Sequence, residues 1–213
     1  MTPQSRLQVQ GLYLLVDPEV LPAKQWMRVL PQVLAQPWAL VQLRAKIGDA
    51  TQQLSWANNL AAMCREYARP LLINDRVDLA LACKAQGVHL GQSDGSLQAA
   101  RQALGPQAII GRTAHADLAL VEEAAQDGAD YASIGAIFAS GTKPQAKPAS
   151  LALLRQATQT QRIPICAIGG INTQNLDAVL DCQPALIAVC GAVLSAANPG
   201  QQAADLMRSL RHD

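Results

Sequence analysis

A short polar motif at the end of a predicted strand has the residue types of an anion-binding site. The segment 41–46 alternates apolar and polar residues, and a period of two sends Gln42, Arg44 and Lys46 to one face of a strand. Two cations and an amide grouped in this way favour an anionic ligand. The alternative is a salt-bridged strand end, since buried charges are seldom unpaired. Both interpretations require an anion beside these two cations.

Two aspartates follow the next two predicted strands. Asp75 comes directly after Asn74, and Asp94 follows the segment 89–93. Mg²⁺ commonly takes one or two protein carboxylates and completes its coordination with phosphate oxygens and water. For either aspartate alone, helix N-capping is the better explanation. The pair on adjacent strand ends beside two cations predicts instead a Mg²⁺ site with Asp75 and Asp94 as metal ligands.

Glycine turns follow the last two predicted strands. Gly169-Gly170 ends the seventh, with Asn172 or Thr173 opening a helix, and Cys190-Gly191 ends the eighth. Glycines there let backbone N–H groups approach a phosphate, and the loops after strands seven and eight are the usual phosphate site of a (β/α)₈ barrel. A tight turn is the alternative for any Gly-Gly pair. The location favours phosphate binding.

Two further features are weaker candidates for a role in the site. The loop 139–148 carries Ser140, Thr142 and Lys143, a hydroxyl and lysine cluster able to wrap a phosphate, although alone it is an ordinary solvated loop. Its position after the sixth strand is that of an active-site flap. His115 is predicted at a helix start and is a supporting acid–base candidate only. Thr113 lies two residues before it.

The elements that position these residues follow an alternating pattern. Eight short apolar runs are each followed by a helical stretch, the signature of βαβ units and a parallel sheet. The predicted strands are 11–16, 39–44, 71–74, 87–90, 108–111, 131–135, 163–168 and 186–189. Eight such units predict an α/β fold, a single (β/α)₈ TIM barrel. A doubly wound open sheet is the rival, but no Gly-x-Gly-x-x-Gly fingerprint follows the first strand.

Helix boundaries are also visible. Asp49 or Thr51 is predicted to cap a helix to about residue 68, Ser96 one to about 104 and Ser150 one to about 158. We expect one domain over residues 1–213, with a barrel core over about 11–195 and a C-terminal helix to about 211.

Composition excludes several function classes. The 213 residues carry a formal charge of +1 and 3% aromatics, which argues against a nucleic-acid or membrane-surface partner. Five scattered cysteines without a C-x-x-C pair predict reduced, mostly buried thiols. The polar start and the absence of an 18-residue apolar run predict a soluble cytoplasmic protein. A homo-oligomer is compatible with this sequence.

In order along the chain, these motifs resemble the thiamine-phosphate synthase family. The resemblance covers about residues 13–194 and rests on Gln42-x-Arg44-x-Lys46, Asn74-Asp75-Arg76-Val77-Asp78, Gly87-Val88-His89-Leu90-Gly91-Gln92-x-Asp94, Ala129-Asp130-Tyr131, Thr142-Lys143 and Ala167-Ile168-Gly169-Gly170-Ile171. Such a member is expected to be a (β/α)₈ barrel that joins hydroxymethylpyrimidine diphosphate to a thiazole phosphate, with Mg²⁺ and release of diphosphate. The resemblance also implies a dissociative reaction, in which a carbocation forms before the thiazole nitrogen attacks.

The resemblance implies a role for each matching residue. Gln42, Arg44, Lys46, Asn74 and Lys143 would bind the pyrimidine diphosphate, with Arg44, Lys46 and Lys143 stabilising the leaving group and Asp75 and Asp94 holding Mg²⁺. Ser140, Thr142, the Gly169-Gly170 turn and Cys190-Gly191 would hold the thiazole phosphate. Three positions depart from the family: Thr113 and Gly191 stand where serine is common, and Ser140 where threonine is common.

Two rival functions stay open at the level of sequence. A thiazole tautomerase on the same barrel would use a histidine near position 115, but Asp94 and the Thr142-Lys143 pair speak against an isomerase without diphosphate. A non-catalytic barrel that binds thiamine phosphate would not need a magnesium diphosphate site. The sequence also leaves open whether the thiazole carries a carboxyl group.

Overall fold

Eight parallel strands pair in sequence order and close into a barrel, because β1 also pairs with β8. The computed structural model describes residues 10–139 and 148–210. The strands are β1 (Gly11–Val16), β2 (Leu40–Leu43), β3 (Leu71–Asn74), β4 (Gly87–Leu90), β5 (Ile109–His115), β6 (Tyr131–Ile134), β7 (Ile165–Ile168) and β8 (Leu186–Val189). This confirms the predicted (β/α)₈ barrel.

A helix follows each strand, and a further helix packs at the end of the described chain. The helices are α1 (Trp26–Leu34), α2 (Ala50–Glu66), α3 (Val77–Cys83), α4 (Leu97–Leu104), α5 (Leu118–Gln126), α6 (Leu151–Thr160), α7 (Leu176–Leu180), α8 (Gly191–Leu194) and α9 (Pro199–Ser209). None of the helices in these two described ranges combines the length and apolarity that crossing a membrane requires.

Strand alternation divides the buried residues into two layers. In β1, Leu12, Leu14 and Val16 belong to the large core shared with the helices, whereas Tyr13 and Leu15 belong to a small cluster built from strand residues alone. Gln42 pairs in register with Leu15 and shares the interior side of the sheet. The barrel is therefore filled by side chains, as its architecture requires.

Helix caps agree well with the sequence signals. Asp49 caps α2 with a full capping box, and Ser96 and Ser150 accept hydrogen bonds from the third residues of α4 and α6. Four of the five cysteines are buried, Cys190 is half-buried, and all are free, as predicted. The caps fix where each βα loop ends and so determine the length of chain available at the rim.

Four strand boundaries and two helix assignments differ from the prediction. The second, sixth and seventh strands are shorter than predicted, and the seventh starts after Pro164, which has no N–H to donate. Strand β5 is longer, because its pairing with β6 continues in register to Thr113 and, after a register shift, includes His115 with Ile134. His115 therefore ends a strand instead of opening a helix. Asn172 forms a turn with Gln174, and α7 begins only at Leu176.

Candidate active site

A polar cavity opens where the carboxyl ends of β2 to β5 meet. Its volume is about 240 Å³. Of the residues that the structure describes, ten line it: Arg44, Lys46, Asn74, Asp75, Gly91, Gln92, Ser93, Asp94, Thr113 and His115. The barrel thus brings together the two cations and the two aspartates that the sequence predicted to share one rim.

Arg44 is held by a buried carboxylate on the neighbouring strand end. Its Nη1 lies 2.5 Å from Oδ2 of Asp17, whose side chain is 0% exposed, and its backbone N–H donates to Val16. The sequence analysis did not identify Asp17. The available signal was its position directly after β1, at the same rim as the other polar residues. Arg44 is therefore both ion-paired, as the alternative interpretation expected, and present at the cavity wall.

Substitution of Asp17 tests directly whether its carboxylate holds Arg44 in place. Asp17→Asn keeps the acceptor for the Glu19 N–H but removes the charge facing Arg44. Among the described residues, breaking this buried ion pair leaves Arg44 with only the exposed Glu19 carboxylate, 4.0 Å away, so we expect the free energy of unfolding to fall by about 3 kcal/mol. Urea denaturation measures this loss. A matched change at Asp205, whose side chain is 37% exposed, is expected to cost less than about 1 kcal/mol.

Asp75 lies at the turn after β3 in a conformation that few side chains adopt. Its φ is 63°, in the left-handed region, and its backbone N–H donates to the carbonyl of His89. Its carboxylate forms an ion pair with Lys46. It does not cap α3, whose N-cap residue is Arg76. The turn therefore holds this carboxylate toward the cavity.

Asp94 is held by the loop that follows β4. Its Oδ2 accepts the Gly91 N–H at 2.8 Å, while Ser96 supplies the cap of α4. Arg112 stabilises the same loop by donating hydrogen bonds to the backbone carbonyls of Gly95 and Gln92 at 3.0 and 3.2 Å. Capping, the alternative explanation for each aspartate, thus accounts for neither of them.

The two carboxyl groups are coupled electrostatically. Burial, with Asp94 beside it, raises the pKa of Asp75, although Lys46 opposes the shift. Burial acts in the same sense on Asp94 but is outweighed by hydrogen bonds from Asp75 and Gly91 and by the charges of Lys46 and Arg112, so the pKa of Asp94 is lowered. Two neighbouring carboxyls that shift apart in this way favour a shared proton or a bound cation between them.

Other predicted site residues lie around or below this cavity. Asn74 lines its wall as the last residue of β3. Gln42 is 2% exposed and donates to the Tyr13 hydroxyl at 2.5 Å in the barrel interior, beneath the wall residues. Ser140, Thr142 and Lys143 lie outside the described residues.

The Gly169-Gly170 turn meets the segment after β6. Both residues have positive φ, 106° and 64°, and a Cβ at Gly170 would lie 2.4 Å from the Ala139 carbonyl oxygen. The glycines are therefore required by backbone conformation and close approach, which is the tight-turn interpretation. The turn lies at the same rim, against the described residues that precede Ser140.

Cys190 and Gly191 follow β8, which lies between β7 and β1 in the closed barrel. Burial and the nearby Asp17 carboxylate raise the pKa of the Cys190 thiol to about 12, against the opposing charge of Arg44. The thiol is therefore protonated at neutral pH and is a poor nucleophile. Gly191 is the first residue of α8, and a Cβ there would have the Ser195 hydroxyl as its neighbour at 3.8 Å.

The fold and this rim define a class of protein: a (β/α)₈ barrel with a charged cavity at the carboxyl ends of its strands, where barrel enzymes hold their active sites. The family model described as thiamine monophosphate synthase matches residues 12–193. The chain belongs to this thiamine monophosphate synthase family. The resemblance seen in the motifs is confirmed, and with it the predicted class of enzyme, a transferase.

Individual relatives agree with this assignment. The thiamine-phosphate synthase of Alcanivorax borkumensis is 42% identical over 87% of this chain and 85% of that protein, and the one from Azoarcus sp. is 42% identical over 92% and 94%. The solved thiamine phosphate pyrophosphorylase from Pyrococcus furiosus superposes with a TM-score of 0.85, at 30% identity and covering 98% of both chains. The similarity therefore extends over almost the entire barrel.

Proposed function

We propose that this chain joins hydroxymethylpyrimidine diphosphate to 4-methyl-5-(2-hydroxyethyl)thiazole phosphate, giving thiamine phosphate and diphosphate. The observation that carries the proposal is the pair Asp75 and Asp94 beside Arg44 and Lys46 in one rim cavity. Two cations and two coupled carboxyls suit a metal-bound diphosphate and have little use in a site for an uncharged ligand.

The pyrimidine diphosphate is assigned to the described cavity. Arg44 and Lys46 face its anionic end, and Asn74 and Thr113 supply polar atoms on the same wall. The ion pairs of Arg44 with Asp17 and of Lys46 with Asp75 hold both cations in place before substrate arrives. Preorganised charges of this kind stabilise a leaving group without a reorganisation cost during the reaction.

The donor set of the cavity fits Mg²⁺. The Asp75 and Asp94 carboxylates are hard oxygen ligands, neither is used as a helix cap, and their pKa values shift apart as expected for neighbouring like charges. When bound, the ion would neutralise charge on the diphosphate.

Bond breaking needs no protein nucleophile in this proposal. The C–O bond to diphosphate breaks first, and the thiazole nitrogen attacks the pyrimidine-stabilised carbocation. Arg44 and Lys46, with Lys143 from the loop after β6, interact with the negative charge that grows on the leaving group. The protonated Cys190 thiol at the rim is consistent with a site in which no covalent enzyme intermediate forms.

The thiazole phosphate is assigned to the opposite side of the rim. We assign it to the Ser140 and Thr142 hydroxyls, the backbone of the Gly169-Gly170 turn and the Cys190-Gly191 backbone. Gly169 and Gly170 pack against residues 136–139, the described segment that precedes Ser140 in the sequence. A small-molecule enzyme of this kind would work in the cytoplasm, as a monomer or as a homo-oligomer.

Gly191→Ser tests this half of the site. The serine would restore the family hydroxyl in a position with room for a Cβ, and Gly191 is not among the glycines of positive φ. We expect thiazole-phosphate binding to tighten by about 0.5–1.5 kcal/mol, the net worth of one hydrogen bond. The KM for each substrate measures this. The KM for the pyrimidine diphosphate is expected to be unchanged, and weaker thiazole-phosphate binding in a stable variant would show that the glycine itself is needed.

The direct test of the function is formation of thiamine phosphate from the two synthetic substrates, with and without EDTA. We expect product with Mg²⁺ and its loss with EDTA. Isomerisation of a thiazole phosphate in EDTA, without coupling, would identify a tautomerase instead. Binding of thiamine phosphate without any turnover would identify a non-catalytic barrel.

A further inference from the structure

A chain of buried hydrogen bonds crosses the barrel interior from Gln42 to the cavity wall. Gln42 Nε2 donates to the Tyr13 hydroxyl at 2.5 Å, and the Tyr13 and Tyr131 hydroxyls lie 3.0 Å apart. The Tyr131 hydroxyl lies 2.9 Å from His89 Nδ1, and His89 Nε2 lies 2.9 Å from the Thr113 hydroxyl. We call these five residues the interior hydrogen-bond chain.

The interior hydrogen-bond chain requires a residue without a side chain at position 111, which is Gly111. A Cβ at Gly111 would lie 2.4 Å from the Tyr131 hydroxyl and 2.5 Å from His89 Nδ1, so any larger residue there would occupy the space in which these two groups meet. The His89 and Tyr131 rings stack at 5.5 Å, and Tyr13 meets Tyr131 edge-on at 6.0 Å. The contact between the two rings is therefore built into the packing of β4, β5 and β6.

The protonation of the two tyrosines determines which group donates and which accepts along the interior hydrogen-bond chain. Tyr13 is 2% exposed and Tyr131 is 0% exposed, and burial raises the pKa of both hydroxyls, so each keeps its proton. Tyr13 accepts from Gln42 and must donate its own proton to Tyr131, because an unsatisfied buried hydroxyl is costly. Tyr131 then donates to Nδ1 of His89.

The direction continues to the cavity wall. An imidazole whose Nδ1 accepts a hydrogen bond carries its proton on Nε2 when it is neutral. His89 therefore donates from Nε2, and the Thr113 oxygen at 2.9 Å is a closer acceptor than the Ser133 hydroxyl at 3.4 Å. That oxygen is then an acceptor toward the interior, and its own proton turns to the cavity that Thr113 lines. The amide orientation of Gln42 thus determines whether Thr113 offers a donor or an acceptor to a ligand.

We propose that Tyr13, Tyr131 and His89 are positioning residues that fix the Thr113 hydroxyl as a hydrogen-bond donor to the bound pyrimidine diphosphate. This inference rests on the proposed function, because it places that substrate at the cavity. Gln42 and Thr113, the two ends of the chain, both belong to the residues assigned to the same substrate. The interior hydrogen-bond chain links the donor or acceptor character of its two ends. When Thr113 donates to an acceptor on the substrate, Gln42 at the other end must donate its amide N–H to Tyr13.

The His89 tautomer tests the direction of the chain in the free protein. The sequence has three histidines, so ¹⁵N-histidine labelling gives a simple long-range ¹H–¹⁵N spectrum in which His89→Gln assigns one ring. At pH 8 we expect His89 to be neutral with its proton on Nε2. Tyr131→Phe is expected to remove the preference for the Nε2-protonated tautomer. Tyr67 does not belong to the interior hydrogen-bond chain, so Tyr67→Phe is expected to leave the preference unchanged. A proton on Nδ1 in the unmodified protein would overturn the proposal.

A double-mutant cycle tests whether Tyr131 acts through Thr113. Tyr131→Phe is expected to lower kcat/KM about tenfold and to raise KM for the pyrimidine diphosphate but not for the thiazole phosphate. In a Thr113→Val background the same change is expected to cost less than about twofold, and in Thr113→Ser, which keeps the hydroxyl, the full loss should return. Equal losses in the valine and threonine backgrounds would show a structural role and overturn the proposal.

The two experiments separate this inference from the proposed function. If the unmodified protein forms no thiamine phosphate, the proposed function fails. The His89 tautomer still shows whether the interior hydrogen-bond chain directs the Thr113 hydroxyl proton to the cavity. If thiamine phosphate forms but His89 carries its proton on Nδ1, the function stands and the positioning role is wrong. Thermal unfolding and circular dichroism of each variant show that the comparison is made between folded proteins.

Discussion

Replacing Asp75 or Asp94 by alanine is expected to lower kcat by about 100-fold or more, because each change removes one of two carboxylates assigned to the metal that neutralises the diphosphate. The fold is expected to survive, since neither aspartate caps a helix and both lie at the exposed end of the barrel. The measurement is steady-state turnover across a Mg²⁺ titration. Each single variant should require more Mg²⁺ for half-maximal activity than the unmodified protein.

Asp127→Ala is the matched control for these variants. Asp127 is an exposed carboxylate whose contact is with Gln98, remote from the cavity, so its loss should leave both turnover and the Mg²⁺ requirement unchanged. A fully active variant lacking both Asp75 and Asp94 would remove the metal assignment. Thermal unfolding of the apo variants provides a readout that does not depend on turnover.

Arg44→Ala and Lys46→Ala are expected to give the other large effect. In the proposed reaction both cations face the charge that grows as the C–O bond breaks, and one such charge-assisted contact contributes about 2–4 kcal/mol in the transition state. This corresponds to a loss of roughly 30- to 1,000-fold in kcat/KM for the pyrimidine diphosphate. Single-turnover measurements with that substrate separate slower chemistry from weaker binding.

The structure predicts a difference between these two variants. Arg44→Ala leaves the buried Asp17 carboxylate without its partner and should also lower stability, whereas Lys46 is 46% exposed and its removal should affect activity alone. Arg28→Ala on α1, an exposed arginine away from the rim, is the matched control. If both site variants changed KM for the thiazole phosphate only, the two substrate ends would have been assigned in reverse.

The barrel itself was predictable from the sequence because its strands are short apolar runs buried on both faces and separated by amphipathic helices. Four strand ranges, including Gly11–Val16 and Leu186–Val189, match the prediction in full. The caps at Asp49, Ser96 and Ser150 were visible for the same reason, since capping is a local interaction between a side chain and the backbone three residues ahead. Convergence of polar strand ends at one rim followed from the architecture.

The tertiary structure alone decided which partner each site residue has. Arg44 bonds to Asp17, 27 positions away, and Tyr13 meets Tyr131 across 118 positions, because barrel closure places these strand ends and interior side chains together. The extension of β5 past Gly111 follows from its pairing with β6, which runs in register to Thr113 and resumes at His115 after a shift. Local periodicity thus determined the elements and the residue types at the rim, while long-range packing determined how their hydrogen bonds and charges are paired.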